Sequence, residues 1–267
     1  MDLKEIQGMN DELKKVTALY DVFNEEARLD QRATNIEFLT TIKYIESYLK
    51  PGMRILDIGA GTGRYSLYFA NQGYDVVAIE IVEKHANAIR QAKTEDMVLE
   101  VIWGNAVEIL NDLRDNSFDV VLCFGPLYHL ESITDREKCV NGIKRVCGKN
   151  GKMFFAFINN DMIIATETMC YDRNYIKCDN YNHKSFKVTD FPFVFYTINM
   201  ARELITGCGL NIEKEIAADG LSELLADKIN NMDDESYKLW LEYHYYTCDK
   251  PEFIGFSNHL LFVAGKK

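Results

Sequence analysis

Several things are scarce in this chain, and each scarcity excludes something. Among 267 residues no run approaches the ~18 consecutive apolar residues that a membrane-spanning helix needs. Cations are in deficit: 30 Lys and Arg against 41 Asp and Glu leave a formal net charge of -11. A broad phosphate-binding face needs clustered Lys and Arg. Neither nucleic acid nor a membrane is therefore expected as a partner. The N-terminal stretch MDLKEIQGMNDELKK lacks the apolar core of a signal peptide, so the expected location is the cytoplasm. Seven cysteines (123, 139, 147, 170, 178, 208 and 248) include no C-x-x-C, and the five histidines include no H-x-x-x-H. Neither a disulfide framework nor a metal site is expected.

What is present is an alternation. Apolar strand-like runs, MRILDI (53–58), YDVVAIE (74–80), VLEVI (98–102), FDVVLCF (118–124) and KMFFAFI (152–158), are separated by helical patterns. That order predicts an α/β fold, doubly wound, with parallel pairing and right-handed crossovers. Before it, Thr34-Asn35-Ile36-Glu37 fits a capping box with Thr34 as N-cap, and Lys50-Pro51-Gly52 stops the helix. A weaker helical pattern covers roughly residues 11–29. After it, 159–196 shows no clean period, and 218–257 is a helical excursion rich in tyrosine and acid. The length predicts a single domain over 1–267. Residues 1–50 form an N-terminal helical lid, 51–158 a cofactor-binding core, and 159–196 and 218–257 cap insertions.

ILDIGAGTGRYSLYF (55–69) places three glycines between a strand and a helix. Open α/β sheets bind ligands at that end of the strand. Glycines let the backbone approach the ligand, and the helix N-terminus offers free N–H groups. No Lys-Ser or Lys-Thr follows, which excludes a P-loop. A dinucleotide turn, G-x-G-x-x-G, wants a glycine at 64, where Arg64 stands.

The stretch Asp57-Ile58-Gly59-Ala60-Gly61-Thr62-Gly63 matches D-x-G-x-G-x-G in full. In this the chain resembles the class I S-adenosylmethionine-dependent methyltransferases of small-molecule type, by motif over about 53–158 and elsewhere by topology. The resemblance implies a Rossmann-like, mostly parallel seven-stranded sheet in the order 3-2-1-4-5-7-6, with strand seven antiparallel. It implies S-adenosyl-L-methionine as cofactor, held by Asp57, Gly59, Ala60, Gly61 and Gly63. Glu80, 21 residues beyond Gly59, would accept from the ribose hydroxyls, and Ile81 would pack on adenine. Gly104, Asn105 and Ala106 stand where the family commonly has G-D-A. Asn105 can accept from the adenine amino group and donate to a ring nitrogen, or simply cap the next helix. Cys123 aligns with a ligand-lining position, or is a core cysteine. Tyr20, Arg28 and Arg32 belong to the segment that closes over the cofactor in many relatives. A guanidinium there would pair with the methionine carboxylate, unless it is solvated.

For the chemistry, His129 is the candidate base, because it follows the fourth strand at the catalytic rim and imidazole titrates near neutrality. Tyr128 beside it would orient substrate. A loop histidine also serves as a structural hydrogen-bonder; His183 and His244 are further candidates. The crowd of aromatics in both insertions, Phe186, Phe193, Tyr237 and Trp240 among them, would line the acceptor pocket or form cap core. Gly125-Pro126-Leu127-Tyr128 replaces the N-P-P-Y type signature of amide and nucleobase methylation, which favours a small-molecule acceptor. A nicotinamide-dependent oxidoreductase and a non-catalytic cofactor-binding module are the alternatives.

Overall fold

The computed structural model describes residues 3–9, 12–22 and 31–267. Its strands are β1 (Arg54–Ile58), β2 (Asp75–Glu80), β3 (Leu99–Trp103), β4 (Phe118–Cys123), β5 (Cys147–Asn159), β6 (Phe195–Tyr196), β7 (Leu210–Ala217) and β8 (His259–Lys266). They form one sheet in the order β3-β2-β1-β4-β5-β8-β7, with the two-residue β6 paired to β5 off that path. β1 to β5 run parallel, while β8 is antiparallel to both neighbours. Setting β6 aside, this is the order the resemblance implies.

The helices are α1 (Leu3–Gln7), α2 (Glu12–Val22), α3 (Arg32–Glu46), α4 (Arg64–Asn71), α5 (Glu83–Ala92), α6 (Ala106–Asp112), α7 (Pro126–His129) and α8 (Ile133–Val146). They continue as α9 (Asn160–Thr166), α10 (Ile198–Gly207), α11 (Ala226–Asn230), α12 (Asp234–Thr247) and α13 (Pro251–Ile254). Side chains alternate across each strand, so both faces of a doubly covered sheet must be apolar. Leu56, Ile58, Val77, Ile79 and Val121 pack with residues of α6, α8 and α10 on one face. Ile55, Val76, Ala78, Val120 and Leu122 pack with residues of α3, α4 and α5 on the other.

Several expectations need correction. Thr34 is not an N-cap: α3 starts a turn earlier with Gln31 as its cap, and the Thr34 hydroxyl bonds back to the Gln31 carbonyl. The early start follows from Ala33, fully buried against Ile229, Tyr237 and Trp240 of the excursion. The excursion, 218–257, holds three helices, α11, α12 and the short α13. The stretch 159–196 is an ordered insertion with its own core of Ile158, Tyr181, Val188 and Phe195.

Gly63 caps α4 at φ +92° in the left-handed region, and a Cβ there would lie 2.7 Å from Ile89 Cγ1. Gly207, the last residue of α10, has no atom within 4 Å of a would-be Cβ and no positive φ. Gly63→Ala should lose at least about 2 kcal/mol, from left-handed strain and overpacking. Gly207→Ala should gain about 0.5–1 kcal/mol by restricting the unfolded chain. Urea unfolding of both variants measures the two effects, and an equal response would contradict this account of the loop.

Candidate active site

The turn after β1 is tied down before any ligand is considered. Gly59 and Ala60 donate their N–H groups to the Ile79 carbonyl at 2.9 and 3.1 Å. Glu80, at the end of β2 and only 4% exposed, closes the arrangement. One carboxylate oxygen accepts from the Gly61 N–H and the other from the Val82 N–H, both at 2.7 Å. Gly59 could carry no side chain here, since a Cβ would lie 2.7 Å from Pro126 Cδ. Pro126 opens α7, so the strand ends at Cys123 and continues as a single helical turn rather than as a loop.

Beneath the turn, Asp57 is 1% exposed and accepts from the Ser66 hydroxyl at 2.5 Å. Its other oxygen is buried without a partner. Burial pushes the Asp57 carboxyl up to about 6; the Ser66 hydrogen bond opposes this and the Glu80 charge adds to it. A buried carboxylate oxygen with no partner is costly and calls for a donor or a cation.

Two cavities meet at this turn. The first, open to solvent, spans about 670 Å³ and is lined by Gly59, Gly61, Glu80, Ile81, Gly104, Asn105, Ala106 and His129, with Val16 and Tyr20 of α2 among the lining residues. The second, about 1170 Å³, is lined by Gly59, Ala60, Gly61, Arg64, Tyr65, Phe124, Tyr128 and His259. Gly59, Gly61 and Tyr20 belong to both. Trp103 at the end of β3 donates to the Ile81 carbonyl at 3.0 Å and braces that wall.

The expected residues are therefore largely, though not wholly, brought together. Gly63 and Asp57 support the turn from outside the cavities. The Asn105 side-chain oxygen caps α6, accepting from the Val107 N–H at 2.8 Å, so its amide nitrogen is the end left to meet a ligand. Tyr20 closes over the site, and a 2.9 Å hydrogen bond joins its hydroxyl to His129 Nε2. Burial pushes the His129 imidazole down to about 4, so it is neutral at physiological pH. Arg28 lies outside the described residues. Arg32 turns away: it pairs with Asp234, donates to the Met232 carbonyl and stacks on Tyr237, lining neither cavity. The acidic N-terminus of α12 attracts it more directly than the cleft does. Cys123 lies fully buried in the sheet core beside Cys139 and lines neither cavity. Nor do the aromatics of the insertions line the second cavity; Tyr181, Phe195, Tyr237 and Trp240 pack within the caps.

Two residues escaped the sequence reading. Arg64 lines the second cavity and reaches Asn35 Oδ1 at 2.8 Å. His259, the first residue of β8, lines the same cavity. Its Nδ1 donates to Asp219 at 2.7 Å, and Glu37 lies 3.6 Å from the same nitrogen. Asp219, Glu223 and His259 converge within 4.8 Å, but each acid already has partners: Ser257 and His259 on Asp219, Tyr171 and Asn258 on Glu223. The cluster is a hydrogen-bond network.

Known proteins supply the identification. Residues 56–155 match a family model described as a methyltransferase domain. Over 111 residues, 42% of the chain, the sequence is 32% identical to the ubiquinone biosynthesis O-methyltransferase of Hahella chejuensis, covering 45% of that protein. Over 107 residues it is 33% identical to the demethylmenaquinone methyltransferase of Renibacterium salmoninarum, covering 40% of this chain and 41% of that one. The chain thus spans less than half the length of either relative. The fold is that of a Thermotoga maritima protein described as an S-adenosylmethionine-dependent methyltransferase and possible histamine N-methyltransferase. The two superpose with a TM-score of 0.59 at 17% identity, covering 94% of this chain and 99% of that one. No described helix is long and apolar enough to cross a membrane. Residues 56–155, which carry the D-x-G-x-G-x-G turn at 57–63 on this sheet, thus match a methyltransferase domain.

Proposed function

We propose that the whole chain, 1–267, works as one methyltransferase that transfers a methyl group from S-adenosyl-L-methionine to a small-molecule acceptor. The observation that carries this is the junction of the two cavities at Gly59, Gly61 and Tyr20, which provides adjoining rooms for a donor and an acceptor. The two relatives, an O-methyltransferase of ubiquinone biosynthesis and a demethylmenaquinone methyltransferase, accord with a small acceptor. The net charge of -11 accords with the absence of a nucleic-acid partner.

The residues fit the cofactor. The first cavity takes the adenosine, with Ile81 and Ala106 against the base, the Asn105 amide on a ring nitrogen and Glu80 on the ribose. Glu80 spends both oxygens on backbone N–H groups, but each oxygen has a second lone pair for a hydroxyl donor. Asp57, beneath the turn and outside both cavities, places negative charge under a ligand amino group without touching it, and Arg64 is the cation for a carboxylate. When bound, the donor supplies a methyl group on a sulfonium, already activated for displacement. What remains for the protein is alignment and exclusion of water. Tyr20 does both: it roofs the junction and is latched by neutral His129. Tyr128, on the wall of the second cavity, orients the acceptor.

Calorimetry with S-adenosylhomocysteine tests this reading directly. Tight NADH binding with none for S-adenosylhomocysteine would overturn it in favour of an oxidoreductase. Removing the Glu80 clamp by Glu80→Ala should weaken S-adenosylhomocysteine binding at least about tenfold, the equivalent of ~1.4 kcal/mol; an unchanged dissociation constant would refute the ribose assignment.

The raised Asp57 pKa gives a second measurement. The folded protein holds this proton more tightly than the unfolded chain does. The stability it contributes is thus present below about 3.8 and is lost as pH rises through about 6. A ligand amino group favours the ionised form, so S-adenosylhomocysteine should bind more tightly as pH rises from 5 to 7. Asp57→Asn should flatten that dependence, and a profile identical to wild type would remove Asp57 from the cofactor site.

A further inference from the structure

We propose that His85 is a positioning residue of the donor site: its imidazole accepts from one ribose hydroxyl of S-adenosyl-L-methionine while Glu80 accepts from the other. This deepens the methyl-transfer reading and rests on it.

His85 takes its place from the same carboxylate that fixes the glycine turn. Glu80 Oε1 accepts from the Val82 N–H at 2.7 Å, and the Val82 carbonyl accepts from the His85 N–H at 3.0 Å. Val82 caps α5, so His85 sits in the first turn of that helix. Ala86 and Ile89, both fully buried, hold α5 against the core. The His85 residue is 8% exposed, and its ring meets Tyr20 edge-on, with centroids 5.2 Å apart at 78°. Nδ1 is buried with no hydrogen-bond partner among the described residues, and Glu80 Oε1 lies 3.8 Å from it. That is too long for a hydrogen bond but near enough for a carboxylate to orient an N–H dipole. In the neutral ring the proton therefore sits on Nδ1 and the lone pair on Nε2. The ring lines the second cavity beside Gly61, Thr62 and Tyr20. With Nδ1 turned inward, Nε2 is the nitrogen that a ligand meets.

A hydrogen-bond acceptor at this place selects a donor, and the sugar offers one. A ribose carries two hydroxyls on adjacent carbons, and each donates a single hydrogen bond. Both Glu80 oxygens already accept from backbone N–H groups at 2.7 Å. A carboxylate and an imidazole side by side divide two diverging hydroxyls better than one crowded carboxylate does. The amino group of the ligand is the other donor, but it lies beyond the sulfur, away from the sugar, whereas His85 is tied to Glu80. With both hydroxyls held, the ribose cannot turn, and the sulfur attached to it keeps its direction toward the acceptor.

The test is calorimetry on the full chain at about pH 8, where imidazole is ordinarily neutral, with S-adenosylhomocysteine and its 2′-deoxy and 3′-deoxy analogues. His85→Phe keeps a ring against Tyr20 and removes the acceptor. It should weaken S-adenosylhomocysteine about tenfold. That loss should vanish for one deoxy analogue and persist for the other. An equal loss with all three ligands would overturn the assignment, because His85 would then act by packing alone. Nitrogen-15 NMR of the wild-type imidazole needs no variant. Nδ1–H with a bare Nε2 is expected, and the Nε2 resonance should move on saturation with S-adenosylhomocysteine, less so with one deoxy analogue than with the other. An Nε2–H tautomer, or an Nε2 resonance that S-adenosylhomocysteine leaves unmoved, would sink the proposal. Failure of S-adenosylhomocysteine to bind the wild-type chain at all would refute the methyltransferase reading itself, whereas binding with an equal loss across the three ligands leaves that reading standing and removes His85 alone.

Discussion

The clasp of the Glu80 carboxylate between the Gly61 and Val82 N–H groups is the contact on which the site depends. It joins the glycine turn after β1 to the end of β2, so neither can move without the other. Charge-assisted hydrogen bonds of this kind are shorter and stronger than neutral ones, and this one is almost entirely shielded from water. Everything around the cleft takes its position from it. Ile81 and Trp103 follow from the end of β2, Gly59 from the turn, and Pro126 from its contact with Gly59.

The clasp also concentrates negative charge. Asp57 sits below the turn and Glu80 beside it, both nearly inaccessible; burial raises the Asp57 pKa and the Glu80 charge adds to it. His129 does not neutralise them, since burial keeps it uncharged, and His85 Nδ1 stands 3.8 Å from the Glu80 carboxylate. A cleft so arranged is least comfortable empty and improves when a cationic ligand enters. That is the polarity a sulfonium-bearing amino acid would meet, and a dinucleotide with its own phosphates would not. Arg64, standing where a dinucleotide turn has glycine, lines the second cavity beside the turn.

How much of this was legible in the sequence follows from the range of each interaction. The glycine turn was legible because its constraints are local: backbone angles and close approaches set by a handful of neighbours. Strand order came with the family resemblance that the glycine turn carries, since the alternation by itself implies only parallel pairing with right-handed crossovers. Arg32 was not legible, because its partner Asp234 is two hundred residues away and competes with the cleft for the same guanidinium. Thr34 satisfies a local capping rule, yet burial of Ala33 against α11 and α12 moved the helix start past it. The aromatics of the insertions went the same way, since a cap must build a core before it can line a pocket. His259 was hidden by its own strand: HLLFVA reads as an apolar run, and the acid that holds its first residue lies 40 residues earlier.

The N-terminal helix ties these parts into one mechanism. α2 is bound to the rim by Lys15 with Glu131, by Lys84 with the Tyr20 carbonyl, and by the Tyr20–His129 hydrogen bond. Val16 and Leu19 are buried and Lys15 lies over the Phe191 ring, so apolar packing holds the helix on the rim together with these polar contacts. Tyr20 touches both cavities, so a displaced helix would open donor and acceptor rooms together. Exclusion of water and alignment of the two reactants are then a single event, set by one side chain. His259 lies outside that event, held by Asp219 and Ser257 from the sheet side. On the proposed reading, closure of α2 over the junction would supply what an in-line displacement cannot do without: a dry site and a fixed direction of attack.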